Sequence, residues 1–150
     1  MLQRIQSIFL LLVCALMAVT AFSPLFTLAD ASGTLFTFCS SGIIGNNTQL
    51  HTWGVLSIAG LSALLALINI FLYKNRKRQI AIGRVTSLLI IFFYVTAFVY
   101  FNSYANKYGF SFSAVQYGIV LPFIALIFNT LAILRIKKDE KLVRSLDRIR

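Results

Sequence analysis

Acidic side chains are scarce in this chain of 150 residues, where four Asp and Glu stand against 14 Lys and Arg. Asp30 lies alone in one polar break, and Asp139, Glu140 and Asp147 all fall near the C-terminus. No carboxylate sits within an apolar stretch, which argues against a proton relay or a carboxylate ion site in a membrane core. The single histidine, His51, has no Cys, Asp or Glu near it in sequence and makes a poor metal site. Cysteine is equally sparse. Cys14 falls in the middle of the first apolar stretch and Cys39 in a polar break, too far apart to bridge, so Cys39 reads as a lone thiol. No serine stands in a nucleophile elbow or a Ser-Lys arrangement, and no glycine-rich loop is spaced to hold phosphate. The chain therefore reads as non-enzymatic, with no cofactor and no metal site.

What the chain has in abundance is apolar length. It is 59% hydrophobic and 12% charged, with a mean hydropathy of +0.84. Soluble domains carry about twice that charge, so surplus apolar surface on this scale needs lipid as its solvent. Four stretches of about 20 residues fit membrane spans, at about 5–22, 53–73, 85–104 and 110–134. Of the 14 Lys and Arg residues, all but Lys107 lie before the first span, between the second and third, or after the fourth. That is the positive-inside pattern, with both termini cytoplasmic. The predicted fold is a single all-α membrane domain over residues 1–150, a four-span antiparallel helical bundle. The net charge of +10 needs no nucleic acid as partner. The cations sit at span ends, where orientation and anionic headgroups account for them.

Along the chain, Val19-Thr20-Ala21 fits the small-residue rule for signal cleavage, but the apolar run is long and Ser23-Pro24 closes it as a retained helix. In the break from 23 to 52, Thr34-Leu35-Phe36-Thr37-Phe38 alternates polar and apolar residues and predicts a short strand, one arm of a small β-like external cap. Span two carries small residues at four-residue spacing, Ala59 with Ala63 and Ser62 with Ala66, which allow close helix packing. Asn69 and Asn129, near the inner ends of their spans, are placed to hydrogen-bond between helices, or to line a polar cavity with Gln116. Pro122 lies inside span four and predicts a kink opposite Gly118. The tail 135–150 reads as a basic amphipathic cytoplasmic helix, with Leu142, Val143, Leu146 and Ile149 at helical spacing. Its cations Lys138, Lys141, Arg144 and Arg148, with Lys74, Arg76, Lys77 and Arg78 of the short basic loop, form a candidate surface for docking a partner or lipid.

Three segments also carry a resemblance: Gln3-Arg4-Ile5-Gln6-Ser7-Ile8 at the start, Phe71-Leu72-Tyr73-Lys74-Asn75-Arg76-Lys77-Arg78-Gln79 in the middle, and Lys138-Asp139-Glu140-Lys141-Leu142-Val143-Arg144-Ser145-Leu146-Asp147-Arg148-Ile149-Arg150 at the end. Over essentially its whole length the chain resembles the four-span inner-membrane family known as domain of unknown function 4293. The resemblance implies an envelope protein of a Gram-negative member of the Bacteroidota, with the external loop in the periplasm. It implies no activity, ligand or catalytic residue.

The expected role is an accessory or scaffolding subunit of a larger inner-membrane complex. Its implied partners are another membrane protein and the anionic headgroups of the bilayer. The alternative is a small oligomeric transporter or channel, motivated by the proline and Gln116 of span four, although no inverted repeat is visible. A lipid-modifying enzyme is the weakest reading, because the sequence offers no nucleophile, metal set or acid–base pair.

Overall fold

In the computed structural model, which describes residues 2–30, 33–45 and 48–147, long helices alternate with short strands. Helix α1 (Leu2–Phe22) leads into strands β1 (Pro24–Ala29), β2 (Leu35–Cys39), β3 (Gly42–Gly45) and β4 (Thr48–His51). Helix α2 (Trp53–Phe71) follows, then a 3-10 turn at Leu72–Lys74 and helix α3 (Arg76–Tyr108). Strand β5 (Ser111–Val115), a second 3-10 turn at Tyr117–Ile119 and helix α4 (Val120–Asp147) complete the described chain. Four helical stretches are long and apolar enough to cross a membrane, as a multi-pass membrane protein requires.

Each helix turns a narrow stripe inward. α1 buries Leu10, Val13, Met17 and Ala21, and α2 buries Val55, Ala59, Ser62, Ala66 and Asn69. α3 buries Gly83, Thr86, Ile90, Phe93 and Ala97, and α4 buries Ala125, Asn129, Ala132 and Ile136. The three- and four-residue spacing is that of a coiled-coil seam, which lets neighbouring helices interlock along their length. α1 packs against α2 and α4, and α3 closes the ring against the same two helices. The small residues of α2 admit this approach: Ala59, Ser62 and Ala66 are fully buried, with Ala63 at the border of the core. Leu61, Leu64, Leu67 and Ile68 occupy the other face and are exposed. A third or less of each apolar stretch is buried, so most of its surface is left for a hydrocarbon solvent.

The strands form one antiparallel sheet in the order β4-β3-β2-β1-β5. It joins the α1–α2 connection to the α3–α4 connection, so both lie at the same end of the helices. Leu25, Phe26 and Leu28 of β1 and Phe36 and Phe38 of β2 point into the main core. Phe26 stacks on Phe38 at 4.3 Å and meets Phe101 of α3 edge-on at 5.7 Å. Such pairs add about 0.5–1.5 kcal/mol beyond the area they bury. Side chains also pin the sheet to the helix ends. Ser40 Oγ donates to the Thr20 carbonyl at 2.9 Å, Thr52 Oγ1 to the Cys39 and Ser40 carbonyls at 3.0 Å each, and the Tyr104 hydroxyl to the His51 carbonyl at 3.0 Å.

Several expectations are corrected. Span four does not begin at 110, because Ser111–Val115 pairs with β1 as strand β5. Helix α4 starts at Val120, which puts Pro122 in its first turn. There the missing N–H has no helical acceptor to lose, so proline starts the helix rather than kinking it. Gly118 lies in the 3-10 turn just before, and its role is close approach. A Cβ there would run into the Pro24 carbonyl oxygen and lie 2.9 Å from Ser23 Cβ. The basic residues Arg76, Lys77 and Arg78 are not in a loop, because α3 already begins at Arg76 and runs 33 residues, about 50 Å at its usual rise.

A candidate docking face and the amide layer beneath it

The end opposite the sheet gathers the basic junction before α3 and the far end of α4. Arg76 and Asp139 form a salt bridge of 2.9 Å between them. The two halves of the sequence-predicted docking surface are thus brought together. Lys77 and Arg78 on α3, and Lys138, Lys141 and Leu142 on α4, are exposed around this bridge. Lys74 closes the 3-10 turn, and Arg144 and Leu146 lie on the last turns of α4. Arg148 and Ile149 fall outside the described residues. As expected of the tail, the helix continues from span four, with α4 unbroken from Val120 to Asp147. Where the tail begins, a small second core packs Ile80 of α3 with Ile133 and Ile136 of α4.

A layer of polar side chains underlies this face. Gln79 Nε2 donates to the Asn69 backbone carbonyl at 3.1 Å, tying α3 to α2. Asn129 Nδ2 donates at 2.8 Å to the Gly83 carbonyl and at 2.8 Å to Ser87 Oγ, tying α4 to α3. Asn69, Gln79 and Asn129 are all buried. Gly83 makes the layer possible, because a Cβ there would lie 2.9 Å from Ile133 Cγ1 and 3.5 Å from Asn69 Nδ2. The Asn69 side-chain nitrogen and oxygen and Asn129 Oδ1 are buried with no hydrogen-bond partner.

The structure brings Asn69 and Asn129 to the two sides of Gly83 but leaves Gln116 at the sheet end, where its N–H donates to the Leu25 carbonyl at 3.0 Å. Of the two readings of these asparagines, Asn129 does hydrogen-bond between helices, and the alternative, a polar cavity shared with Gln116, is not assembled. Sequence reasoning missed Gln79 and Gly83 because span three was started too late, and Ser87, inside that span, because a lone serine in an apolar helix carries no signal of its own. Continuing the seam backwards from Thr86 in steps of three and four reaches Gly83 and Gln79.

At the sheet end, His51 lies beside Trp53, with rings 6.0 Å apart. Among the described residues, no three His, Cys, Asp or Glu side chains come together as a metal site. Cys14 and Cys39 are both free thiols. Burial pushes the Cys39 thiol above its usual pKa, so little thiolate exists at neutral pH. An apolar cavity of about 410 Å³ opens between the sheet and α3, lined by Phe26, Phe98, Phe101 and Phe112 among others.

The functional side chains are thus cations and amides at one end of a closed helix ring. They can attract anionic surfaces and hold helices in register. The chain belongs to a family described as a domain of unknown function, DUF4293, whose model matches residues 2–149. No curated protein matches it.

Proposed function

We propose that this protein is a non-enzymatic subunit of the inner membrane of a Gram-negative bacterium, scaffolding or modulating a larger membrane complex through its basic end. In this reading the four spans form an antiparallel bundle with both termini in the cytoplasm and the sheet in the periplasm. The bias of Lys and Arg toward one end supports that orientation. The Arg76–Asp139 bridge carries the docking role, because it couples the basic start of α3 to the projecting end of α4 and offers both as one surface. Charge on such a surface selects and orients a partner more than it adds affinity.

The test is affinity purification of the tagged protein at native level from mildly solubilised membranes, beside the variant K77E/R78E/K138E/K141E. A membrane protein recovered stoichiometrically with the wild type and lost from the variant is the expected result. A wild-type protein that purifies alone as a monomer contradicts the proposal.

The unpartnered buried amide of Asn69 favours a second reading, a small oligomeric transporter whose pathway passes that layer. Solute flux into liposomes holding the pure protein, abolished by Asn69→Leu, would establish it. Liposomes that stay tight to a panel of ions and small solutes would rule against it.

A further inference from the structure

We propose that the groove between α3 and α4 at the basic end is a binding site for one anionic phospholipid. Its headgroup sits between Arg84 and Lys137, and an acyl chain runs along Leu88 and Leu134. The groove encloses about 510 Å³, a size usual for ligand sites.

Its lining is ordered as a lipid is. On α3, Arg84, Ser87 and Leu88 follow one another at helical spacing; on α4, Lys137, Leu134, Ile133 and Thr130 do the same in the opposite direction. Both cations are therefore at the mouth nearest the basic end, and Leu88, Ile133 and Leu134 lie deeper toward the middle of the bundle, followed by Thr130, whose hydroxyl already donates to the Ile127 carbonyl at 2.7 Å. Arg84 and Lys137 are exposed, and among the described residues neither is paired with a carboxylate. Leu88 and Leu134 are 65% and 59% exposed, so the wall below the cations is open to the surrounding lipid. A second apolar groove continues from Leu88 along α3, past Phe92 to Val95.

The hydroxyl between the two zones is preset. Ser87 Oγ accepts from the buried Asn129 amide, which leaves the Ser87 proton to donate to a headgroup oxygen. Two cations and a donor above an apolar slot match a phosphodiester on acyl chains. A basic pocket between spans on the cytoplasmic side is the usual setting for anionic headgroups. The inference rests on the membrane orientation proposed above, but not on the partner-docking role.

The experiment is native mass spectrometry of the full-length protein in detergent, titrated with phosphatidylglycerol or phosphatidylethanolamine of identical chains. The wild type is expected to hold one phosphatidylglycerol about thirtyfold more tightly than phosphatidylethanolamine, as two basic contacts of about 1 kcal/mol each imply. R84Q/K137Q should bring the two lipids to the same affinity. R135Q, which removes an exposed cation of α4 outside the groove, should leave the preference intact. Inorganic phosphate should fail to displace the lipid.

Equal binding of both lipids by the wild type, an undiminished preference in R84Q/K137Q, or the same loss in R135Q would each overturn the site. Displacement by millimolar phosphate would show that a free anion is the ligand and would also overturn it. Circular dichroism matched to the wild type confirms that R84Q/K137Q is folded. Carbonate extraction of native membranes separates the two levels. Release of the protein defeats the membrane placement itself, whereas retention with equal lipid binding defeats only the groove.

Discussion

The two ends of the bundle are held together by different chemistry. At the sheet end the contacts are aromatic rings, strand pairing and side-chain hydroxyls on main-chain carbonyls: Phe26 stacks on Phe38, Tyr94 donates to the Ile119 carbonyl at 2.7 Å, and the strands pair from β4 through to β5. At the basic end the contacts are side-chain amides and an ion pair, with Gln79, Asn129 and Arg76 as donors. The first kind buries large apolar area and resists change. The second fixes how the helices are rotated and offset through buried amides and a core of only Ile80, Ile133 and Ile136, and leaves cations exposed. The sheet end thus holds most of the aromatic packing, and the basic end keeps its cations on the surface.

The sharpest way to break this comparison is to hollow out the sheet end. Phe38 is fully buried, and Phe38→Ala should cost about 3–5 kcal/mol, the usual range for removing a core phenylalanine. Thermal unfolding in detergent measures it, and a loss no larger than that of an exposed Leu67→Ala control would erase the distinction.

The next largest effect separates the two buried asparagines. Asn129→Leu removes two interhelical hydrogen bonds, worth about 0.6 kcal/mol each on average within membranes, and so should destabilise by about 1 kcal/mol. Asn69 has no side-chain partner, so Asn69→Leu should be neutral or stabilising, because it removes buried polar atoms that make no bond. The same melting curves decide it. Equal losses in the two variants would mean that Asn69 is bonded to something that functions with the bundle.

The Arg76–Asp139 bridge is partly exposed, with side chains 33% and 16% accessible. Its loss in Asp139→Asn should cost less than about 1 kcal/mol, as is usual for ion pairs near water. The same substitution should nevertheless weaken partner retention, if the bridge serves docking rather than stability. The smallest effect concerns Cys39. With its thiol pKa raised by burial, alkylation at neutral pH should be slower than that of a free thiol and should speed up as pH rises. A rate at neutral pH matching free cysteine would show that the strand opens readily.

Much of the fold is legible in the sequence. Among the described residues, four helices are long and apolar enough to cross a membrane, and α2 begins at Trp53 as expected. The clustering of Lys and Arg at span ends marks the basic end from sequence alone. Strand β5 is not legible, because Phe110, Phe112 and Val115 join smoothly to the apolar run of span four. The period-two alternation of Ser111-Phe112-Ser113-Ala114 is the overlooked signal, and only pairing with β1, more than 80 residues away, turns it into a strand. The start of α3 is hidden for the opposite reason. Its first residues are cationic and look like loop, yet Gln79, Ile80 and Gly83 already face α2 and α4. The amide layer is hidden with it, since two of its members lie in those first turns.

The opposition of the two ends across a membrane is tested most directly by single-cysteine labelling in intact cells, with Cys14 and Cys39 replaced by alanine. Ser41 at the sheet and Lys138 on α4 are both exposed. If the protein is oriented as proposed, a maleimide that cannot pass the membrane holding it should label S41C and leave K138C unlabelled until that membrane is permeabilised. Labelling of K138C in intact cells, with S41C protected, would invert the orientation and contradict the account.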